Sequence, residues 1–220
     1  MKKAKGKMEL RYYDIPQNEF LIALQNQNWQ NKYQTESDLL HFHNLMEIGV
    51  CRRGHGTMRL EDDVVRYESG MISIIPANYP HNTIPDIGVD NCWEYLFVDV
   101  EQMLNKMVPG SPRYVEQMLH QVNQRAIFTN RGKAPELTES IENIIEIMRR
   151  GEPFYQEEAE GEMLAFLSKI ARENGNIQGG GSVNMREKAK ISNLVSRSSI
   201  ISVIITGSRS RSVILPSVFT

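Results

Sequence analysis

The sequence predicts a mainly β domain that is followed by an antiparallel pair of helices. Two observations lead to this prediction. Short apolar runs alternate with turn residues between about residue 38 and residue 100, and from Pro135 onward the apolar residues recur with a helical period instead. With 220 residues, 40% of them hydrophobic, the chain can bury one good core and a second helical unit.

The strand-forming runs recur at intervals of about 8 to 12 residues, which is typical of an antiparallel sandwich or barrel. They are residues 45–51, 57–60, 71–75 and 93–100. Trp93, Tyr95 and Phe97 alternate on the last run and therefore share one face, which we expect to belong to the core. We interpret Arg52 and Arg53, near the end of a run, as protection of a sheet edge rather than as contacts to an anionic effector.

Two helices are predicted after the strands. The first apolar stripe ends at Gly151, and the second runs from Ala159 to Ile170. The first stripe consists of Leu137, Ile141, Ile144, Ile145 and Met148. The short break between the stripes favours an antiparallel pair that packs on the barrel, on a partner chain or on both. A shorter helix is expected around residues 114–122.

Residues 175–182 have the composition of a flexible linker. Beyond them, the β-prone runs 200–205 and 213–215 have no obvious neighbour to pair with. We therefore expect a linker at 175–184 and a truncated remnant without order at 185–220, for which an out-of-frame ending is one hypothesis. The other expected boundaries are 1–34 for an N-terminal arm and first strands, 35–110 for the barrel and 111–174 for a helical dimerisation region.

Charge and cysteine content narrow the class of protein. The formal net charge is −2 and the isoelectric point is near 6.2, so any contact with nucleic acid must be local. Cys51 and Cys92 are too few for a disulfide framework, which indicates the cytoplasm. The basic residues 1–7 precede charged residues rather than an apolar run, so we predict neither a signal peptide nor a membrane anchor.

One group of residues has a spacing that suits a binding site. His41, His43 and Glu47 form an H-x-H-x-x-x-E pattern, and on one extended strand this even spacing places all three on the same face. His81, on a neighbouring segment, adds a third imidazole to the same pocket. Three histidines and one glutamate suit a divalent transition metal ion.

These spacings resemble the two motifs of the cupin superfamily, whose fold is a double-stranded β-helix, a jelly-roll type of barrel. A wider set of sequence segments is similar to the N-terminal domain of AraC-family regulators over about residues 35–170. These segments are residues 41–50 (HFHNLMEIGV), 54–56 (GHG), 70–76 (GMISIIP), His81 and 93–99 (WEYLFVD). In that family the barrel binds a small effector such as a sugar, the following helices dimerise, and a linker leads to two helix-turn-helix units.

The resemblance implies a set of pocket-lining residues and a set of partners. The pocket residues are His41, His43, Glu47 and His81, with Trp93 and Tyr95 as stacking or packing neighbours. The expected partners are a small-molecule effector and a second copy of the chain, and DNA only through a C-terminal module that is absent from these residues. No cofactor, no enzymatic activity and no membrane contact are expected.

Three interpretations of the histidine and glutamate residues stay open: a hydrogen-bonded polar patch, a contact to the effector, or a catalytic metal site. The alternative function is a metal-dependent cupin enzyme, an oxygenase or isomerase, that holds one divalent ion on these four residues. Asn78 and Pro85 stand where many cupins have glycine and asparagine, which counts against that alternative. A third function is a structural dimerisation fragment that binds no ligand.

Overall fold

The computed structural model of the chain describes residues 8–16, 19–24, 40–61, 63–178, 201–206 and 211–212. The strands are β1 (Met8–Tyr13), β2 (Leu21–Leu24), β3 (Leu40–His43), β4 (Met46–Arg53), β5 (His55–Leu60), β6 (Asp63–Glu68), β7 (Met71–Ile75), β8 (His81–Pro85), β9 (Cys92–Val98), β10 (Ile127–Asn130), β11 (Ile201–Thr206) and β12 (Arg211–Ser212). The helices are α1 (Val100–Met107), α2 (Pro112–Val122), α3 (Pro135–Arg150) and α4 (Tyr155–Gln178).

The strands form two sheets. A seven-stranded sheet has the order β12-β11-β1-β3-β8-β5-β6, and a five-stranded sheet has the order β10-β7-β4-β9-β2. Neighbouring strands are antiparallel, except that β1 runs parallel to both β3 and β11. Two facing sheets followed by helices confirm the predicted fold class, and their arrangement is consistent with a jelly roll.

The five-stranded sheet is buried on both faces. One face shares an aromatic cluster with the seven-stranded sheet, and the other face packs on the four helices. Alternation along β4 places Glu47 and Cys51 between the sheets and Met46, Ile48 and Val50 against the helices. A strand that is buried on both faces has apolar residues at successive positions, as residues 45–51 do apart from Glu47.

The helices confirm the periodicity in the sequence. Helix α3 ends where Gly151 adopts the left-handed backbone conformation, with φ of 58°. Lys169 Nζ, late in α4, donates to Ser140 Oγ, early in α3, at 2.7 Å, as expected for an antiparallel pair. The shorter helix around residues 114–122 is α2. Within the described part of the chain, no helix is long and apolar enough to cross a membrane.

Helix α4 continues for four residues into the segment predicted as a linker. Asn174 explains this extension, because its side chain is buried and fixes the end of α4 to the neighbourhood of α2. Its Nδ2 donates to the Gln121 carbonyl oxygen at 2.8 Å, and its Oδ1 accepts from Arg125 Nε at 2.9 Å. Residues 179–184 of the expected linker lie outside the described residues.

The β-prone run near the C-terminus has a neighbour, contrary to the expectation from the sequence. Strand β11 pairs in parallel with β1, from Met8 opposite Ile201 to Tyr13 opposite Thr206. The outer edge of β1 offers unpaired backbone groups, which an extended segment satisfies whatever its sequence distance. The run 213–215 and the expected disorder of 185–200, 207–210 and 213–220 lie outside the described residues, and the domain boundaries stay a prediction.

Two further expectations were wrong. The run 93–100 is not one strand, because β9 ends at Val98 and Asp99 then caps α1 by accepting a hydrogen bond from the Gln102 backbone N–H at 2.9 Å. Arg52 does not protect an edge, because β4 lies in the centre of its sheet. Its guanidinium instead contacts Glu94 on β9 at 2.6 Å and Glu142 on α3 at 2.7 Å.

Candidate ligand and metal site

The segment from His41 to Glu47 is two strands rather than the single strand that the spacing predicted. Strand β3 ends at His43, the chain bends at Asn44 and Leu45, and β4 begins in the other sheet. The Asn44 side chain holds this bend, because its Oδ1 accepts from the Tyr13 backbone N–H at 2.8 Å and its Nδ2 donates to the Tyr13 carbonyl oxygen at 2.9 Å. The prediction that His41, His43 and Glu47 lie on a single strand was therefore wrong.

The bend nevertheless brings the four predicted residues together between the sheets. His41 and His43 lie on β3, His81 lies opposite His41 on β8, and Glu47 faces them from β4. The candidate ligand atoms of the four side chains lie within 4.8 Å of one another. All four residues are buried, and none exposes more than 3% of its surface. We refer to these four residues as the His–Glu cluster.

Backbone carbonyls fix the orientation of two imidazole rings. His43 Nδ1 lies 3.4 Å from the Arg11 carbonyl oxygen, and His81 Nδ1 lies 2.9 Å from the Tyr79 carbonyl oxygen. A carbonyl oxygen only accepts, so each Nδ1 carries a proton and each neutral ring has a bare lone pair on Nε2. These Nε2 atoms face the Glu47 carboxylate, at 2.8 Å for His43 and 3.4 Å for His81.

Three nitrogen atoms of the cluster have no hydrogen-bond partner: His41 Nδ1, His43 Nε2 and His81 Nε2. Two of them are lone pairs directed at a carboxylate, which also only accepts. Acceptors that face one another in a buried site repel unless a cation, either a proton or a metal ion, lies between them.

The charge states within the cluster follow from burial and from neighbouring charges. Burial lowers the pKa of His41 well below its ordinary value, and His81, Arg11 and His43 lower it further. Burial also lowers the pKa of His43, although the Glu47 carboxylate acts in the opposite direction. Burial by itself would raise the pKa of Glu47, but the imidazoles of His81 and His43, which are cationic when a proton lies between them and the carboxylate, lower it well below its usual range.

Trp93 and Tyr95 lie on the inner face of β9, in the aromatic cluster between the sheets. Their rings are stacked, with centroids 5.8 Å apart, and Phe97 continues the row to the His43 ring at 5.2 Å. This confirms that Trp93, Tyr95 and Phe97 share a core face. The structure places Trp93 and Tyr95 beside the interior but brings neither into the His–Glu cluster.

Arg11 belongs to the site and was missed by sequence analysis. Its Nη1 lies 3.2 Å from His41 Nε2, and its Nη2 donates to Glu9 Oε2 at 3.3 Å. Strand β1 brings it there by pairing in parallel with β3, which sets Arg11 opposite His43. No local motif marks Arg11, because its contact depends on a pairing between segments that are 30 residues apart.

A surface cavity of about 650 Å³ lies elsewhere in the fold, at the β4–β5 and β6–β7 turns. It is lined by Gly54, His55, Arg66, Tyr67, Glu68, Ser69 and Met71. Its arginine forms two hydrogen bonds with Asp86, at 2.6 and 2.9 Å, which lower the pKa of that carboxyl to about 2. None of the six residues predicted to contact a ligand lines this cavity.

Several known proteins are similar to this chain. An apo form of ToxT from Vibrio cholerae strain SCE256 is 13% identical over 70% of this chain and 57% of its own length, with a TM-score of 0.43. The AraC-like transcriptional activator CuxR is 14% identical over 70% of this chain and 52% of its own, with a TM-score of 0.38. This chain thus spans little more than half the length of either structure.

A cupin-2 domain protein from Shewanella frigidimarina is 14% identical over 38% of this chain and 72% of its own, with a TM-score of 0.25. No curated protein matches the sequence significantly. The family model for the AraC-like ligand binding domain matches residues 31–167, which is more than half of the 220 residues and includes the whole His–Glu cluster. The chain therefore belongs to the family of AraC-like ligand binding domains.

Proposed function

We propose that this chain is the effector-sensing and dimerisation part of a transcription regulator, and that it binds a small molecule between its two sheets. The observation that supports the proposal is the buried His–Glu cluster with its three nitrogen atoms that lack a partner. Each buried polar group without a partner costs about 1–3 kcal/mol. A bound molecule that supplied those partners would recover that free energy, so the cluster favours a ligand-bound state.

The strands that face the cluster also contact the helices. Glu47 is on the inner face of β4, while Arg52 on the same strand reaches Glu142 of α3. Arg149 of α3 contacts Glu94 of β9 at 2.9 Å. A ligand that shifts β4 or β9 therefore acts on the position of α3, by no more than its difference in affinity for the two arrangements.

The finer parts of the proposal follow from the family. We propose a sugar or a similar polar metabolite as effector, a homodimer formed through α3 and α4, and a cytoplasmic location. DNA contact belongs to a separate helix-turn-helix module rather than to this domain, and the domain itself catalyses no reaction.

A thermal unfolding experiment tests effector binding. The purified chain is heated with each member of a panel of aldopentoses, aldohexoses and sugar phosphates, beside the variants Glu47→Gln and His55→Ala. A ligand at 100 times its Kd stabilises the protein by about 2.7 kcal/mol, which raises the Tm by about 5–11 °C in a chain of this size. We expect the shift to persist in His55→Ala and to be lost in Glu47→Gln. No shift with any compound would contradict sugar sensing.

A second candidate function is metal binding at the His–Glu cluster, as in the alternative of a metal-dependent cupin enzyme. The supporting observation is that the Nε2 atoms of His43 and His81 face the Glu47 carboxylate while their Nδ1 atoms face backbone carbonyl oxygens. Imidazoles that bind a metal commonly donate their other N–H to a backbone carbonyl, as His43 and His81 do here.

The spacing of these atoms is close to that of ligand atoms around a metal ion. Ligand atoms bound at about 2.1 Å lie roughly 3.0–3.4 Å apart in octahedral or tetrahedral geometry. The two nitrogen–oxygen distances here are 2.8 Å to Glu47 Oε2, slightly shorter than this range, and 3.4 Å to Glu47 Oε1, at its upper end. His43, His81 and Glu47 would hold the ion, and two imidazoles with one carboxylate suit Zn²⁺ or Fe²⁺. Such an ion supplies a Lewis acid that polarises an oxygen atom of a bound molecule.

Metal analysis of freshly purified protein separates the two candidates. The comparison uses the wild type, His81→Ala and, as a matched control outside the cluster, His55→Ala. About one ion per chain in the wild type and in His55→Ala, with loss in His81→Ala, would favour the metal centre. An ion content unchanged by His81→Ala, or none after incubation with Zn²⁺ and Fe²⁺, would exclude it.

A further inference from the structure

Arg11 approaches the His–Glu cluster from its own strand. The guanidinium lies 3.2 Å from His41 Nε2, and it also donates to Glu9, which is itself buried. The side chain of Arg11 is only 22% exposed, so this contact is held within the protein rather than in open solvent.

The contact determines which nitrogen of His41 carries the proton. A guanidinium has five N–H donors and no acceptor, so Nε2 of His41 must accept. The proton of the neutral ring is then on Nδ1, which is buried and has no partner. His41 therefore carries its N–H group as a buried donor without a partner, whereas His43 and His81 present lone pairs to Glu47.

We propose that Arg11 keeps His41 out of the metal coordination shell and holds it as a hydrogen-bond donor to the molecule that binds beside the ion. This inference rests on the proposed metal centre at His43, Glu47 and His81. An N–H group cannot ligate a metal ion, and the positive guanidinium beside His41 further disfavours a cation at that side. The ion then keeps positions free of protein ligands.

The same arrangement indicates the chemical class of the molecule that binds beside the ion. The Nδ1–H of His41 needs an oxygen or nitrogen acceptor, and a metal ion with open positions prefers an oxygen donor. A molecule with a carboxylate or a carbonyl beside a hydroxyl satisfies both. A purely apolar ligand satisfies neither and would leave the His41 N–H buried without a partner.

The proton position is measured directly by long-range ¹H–¹⁵N spectra of protein labelled on histidine, without metal and after one equivalent of Zn²⁺. In the wild type we expect His41 to carry its proton on Nδ1 in both conditions, while the Nε2 resonances of His43 and His81 shift on Zn²⁺ binding. In Arg11→Met, His41 should lose its Nδ1 proton when Zn²⁺ binds. In Arg66→Met, an arginine variant away from the cluster, the spectra should match the wild type.

Co²⁺ titration provides the second readout. Arg11→Met should bind Co²⁺ on the order of tenfold more tightly than the wild type, since it gains His41 as a ligand. The double variant Arg11→Met/His41→Ala should return to the wild-type affinity, and His41→Ala alone should change it by less than about twofold. Arg11→Lys, which keeps a donor and a charge, should stay close to the wild type.

The outcomes separate this inference from the metal proposal. If Zn²⁺ and Co²⁺ leave the wild type unchanged, the metal centre fails, although the metal-free spectrum still tests the Arg11–His41 contact. If metal binds but His41→Ala weakens binding as much as His81→Ala does, His41 is a ligand and the role of Arg11 is refuted. An affinity gain in Arg11→Met that persists without His41 would show a charge effect alone.

Discussion

Gly49 occupies a crowded point between the sheets, and replacing it by alanine should destabilise the fold. A Cβ atom there would lie 2.7 Å from Ser73 Oγ, 2.8 Å from Tyr95 Cε1 and 3.1 Å from Trp93 Cε3. Two of these distances are shorter than real Cβ contacts, and the neighbouring side chains are buried. Overpacking of a core costs about 1–3 kcal/mol, so we expect a loss of about 2 kcal/mol and a Tm lower by about 4–8 °C.

The assay is urea denaturation followed by circular dichroism, with two accompanying variants. Gly161→Ala makes the same substitution on the exposed face of α4, where a Cβ meets nothing within 4 Å, and should raise stability by about 0.5–1 kcal/mol. Ser73→Ala removes the hydroxyl that Gly49→Ala would meet and that has no hydrogen-bond partner, so the double variant should recover about 1 kcal/mol. A Gly49→Ala protein within about 0.5 kcal/mol of the wild type would refute this packing.

Three further predictions concern charge and reactivity. Arg52→Met breaks two ion pairs between β4 and its neighbours and should lower the free energy of unfolding, measured by urea denaturation, by about 1 kcal/mol. Arg53→Met removes an exposed ion pair and should not change that free energy measurably. Equal losses in the two variants would contradict the prediction. Burial raises the pKa of the Cys51 thiol to about 12, so native protein should leave this residue unmodified by iodoacetamide at pH 8, as read by peptide mass spectrometry, and rapid alkylation would contradict its burial. Burial lowers the pKa of His41. Burial would raise the pKa of the Glu47 carboxyl, but the imidazoles beside it lower that pKa. Both groups therefore bind more protons in the unfolded state than in the folded state. Stability in EDTA should therefore be complete above about pH 6.5 and fall as the pH is lowered to 4, and a flat or rising urea midpoint on acidification would contradict this.

The sequence predicted the elements whose periodicity is strong and local. Helix α3 was predicted from its apolar stripe and from Gly151, and both of these act within one helical turn of the residues that they specify. The runs 57–60 and 71–75 lie within β5 and β7 for the same reason. The strands without a clear prediction, such as β8 and β10, are short and are defined by their pairing with distant strands.

The His–Glu cluster was predicted by an argument whose geometry was partly wrong. Even spacing was expected to align His41, His43 and Glu47 on one strand, but the bend at Asn44 moves Glu47 to the opposite sheet. The residues still meet, because a side chain on the inner face of one sheet faces the inner face of the other. A pattern of side-chain periodicity records which face a residue occupies and not which sheet the strand joins.

The part of the site that sequence analysis missed lies on the N-terminal strand β1. His43 and His81 could be found from motif spacing, but the groups that orient them are the carbonyl oxygens of Arg11 and Tyr79, which have no side-chain signature. Arg11 fixes two histidines at once, one through its carbonyl oxygen and one through its guanidinium. The ligating capacity of the cluster therefore depends on the docking of β1, and displacement of that strand would alter the site together with the stacking of Tyr13 on Phe97.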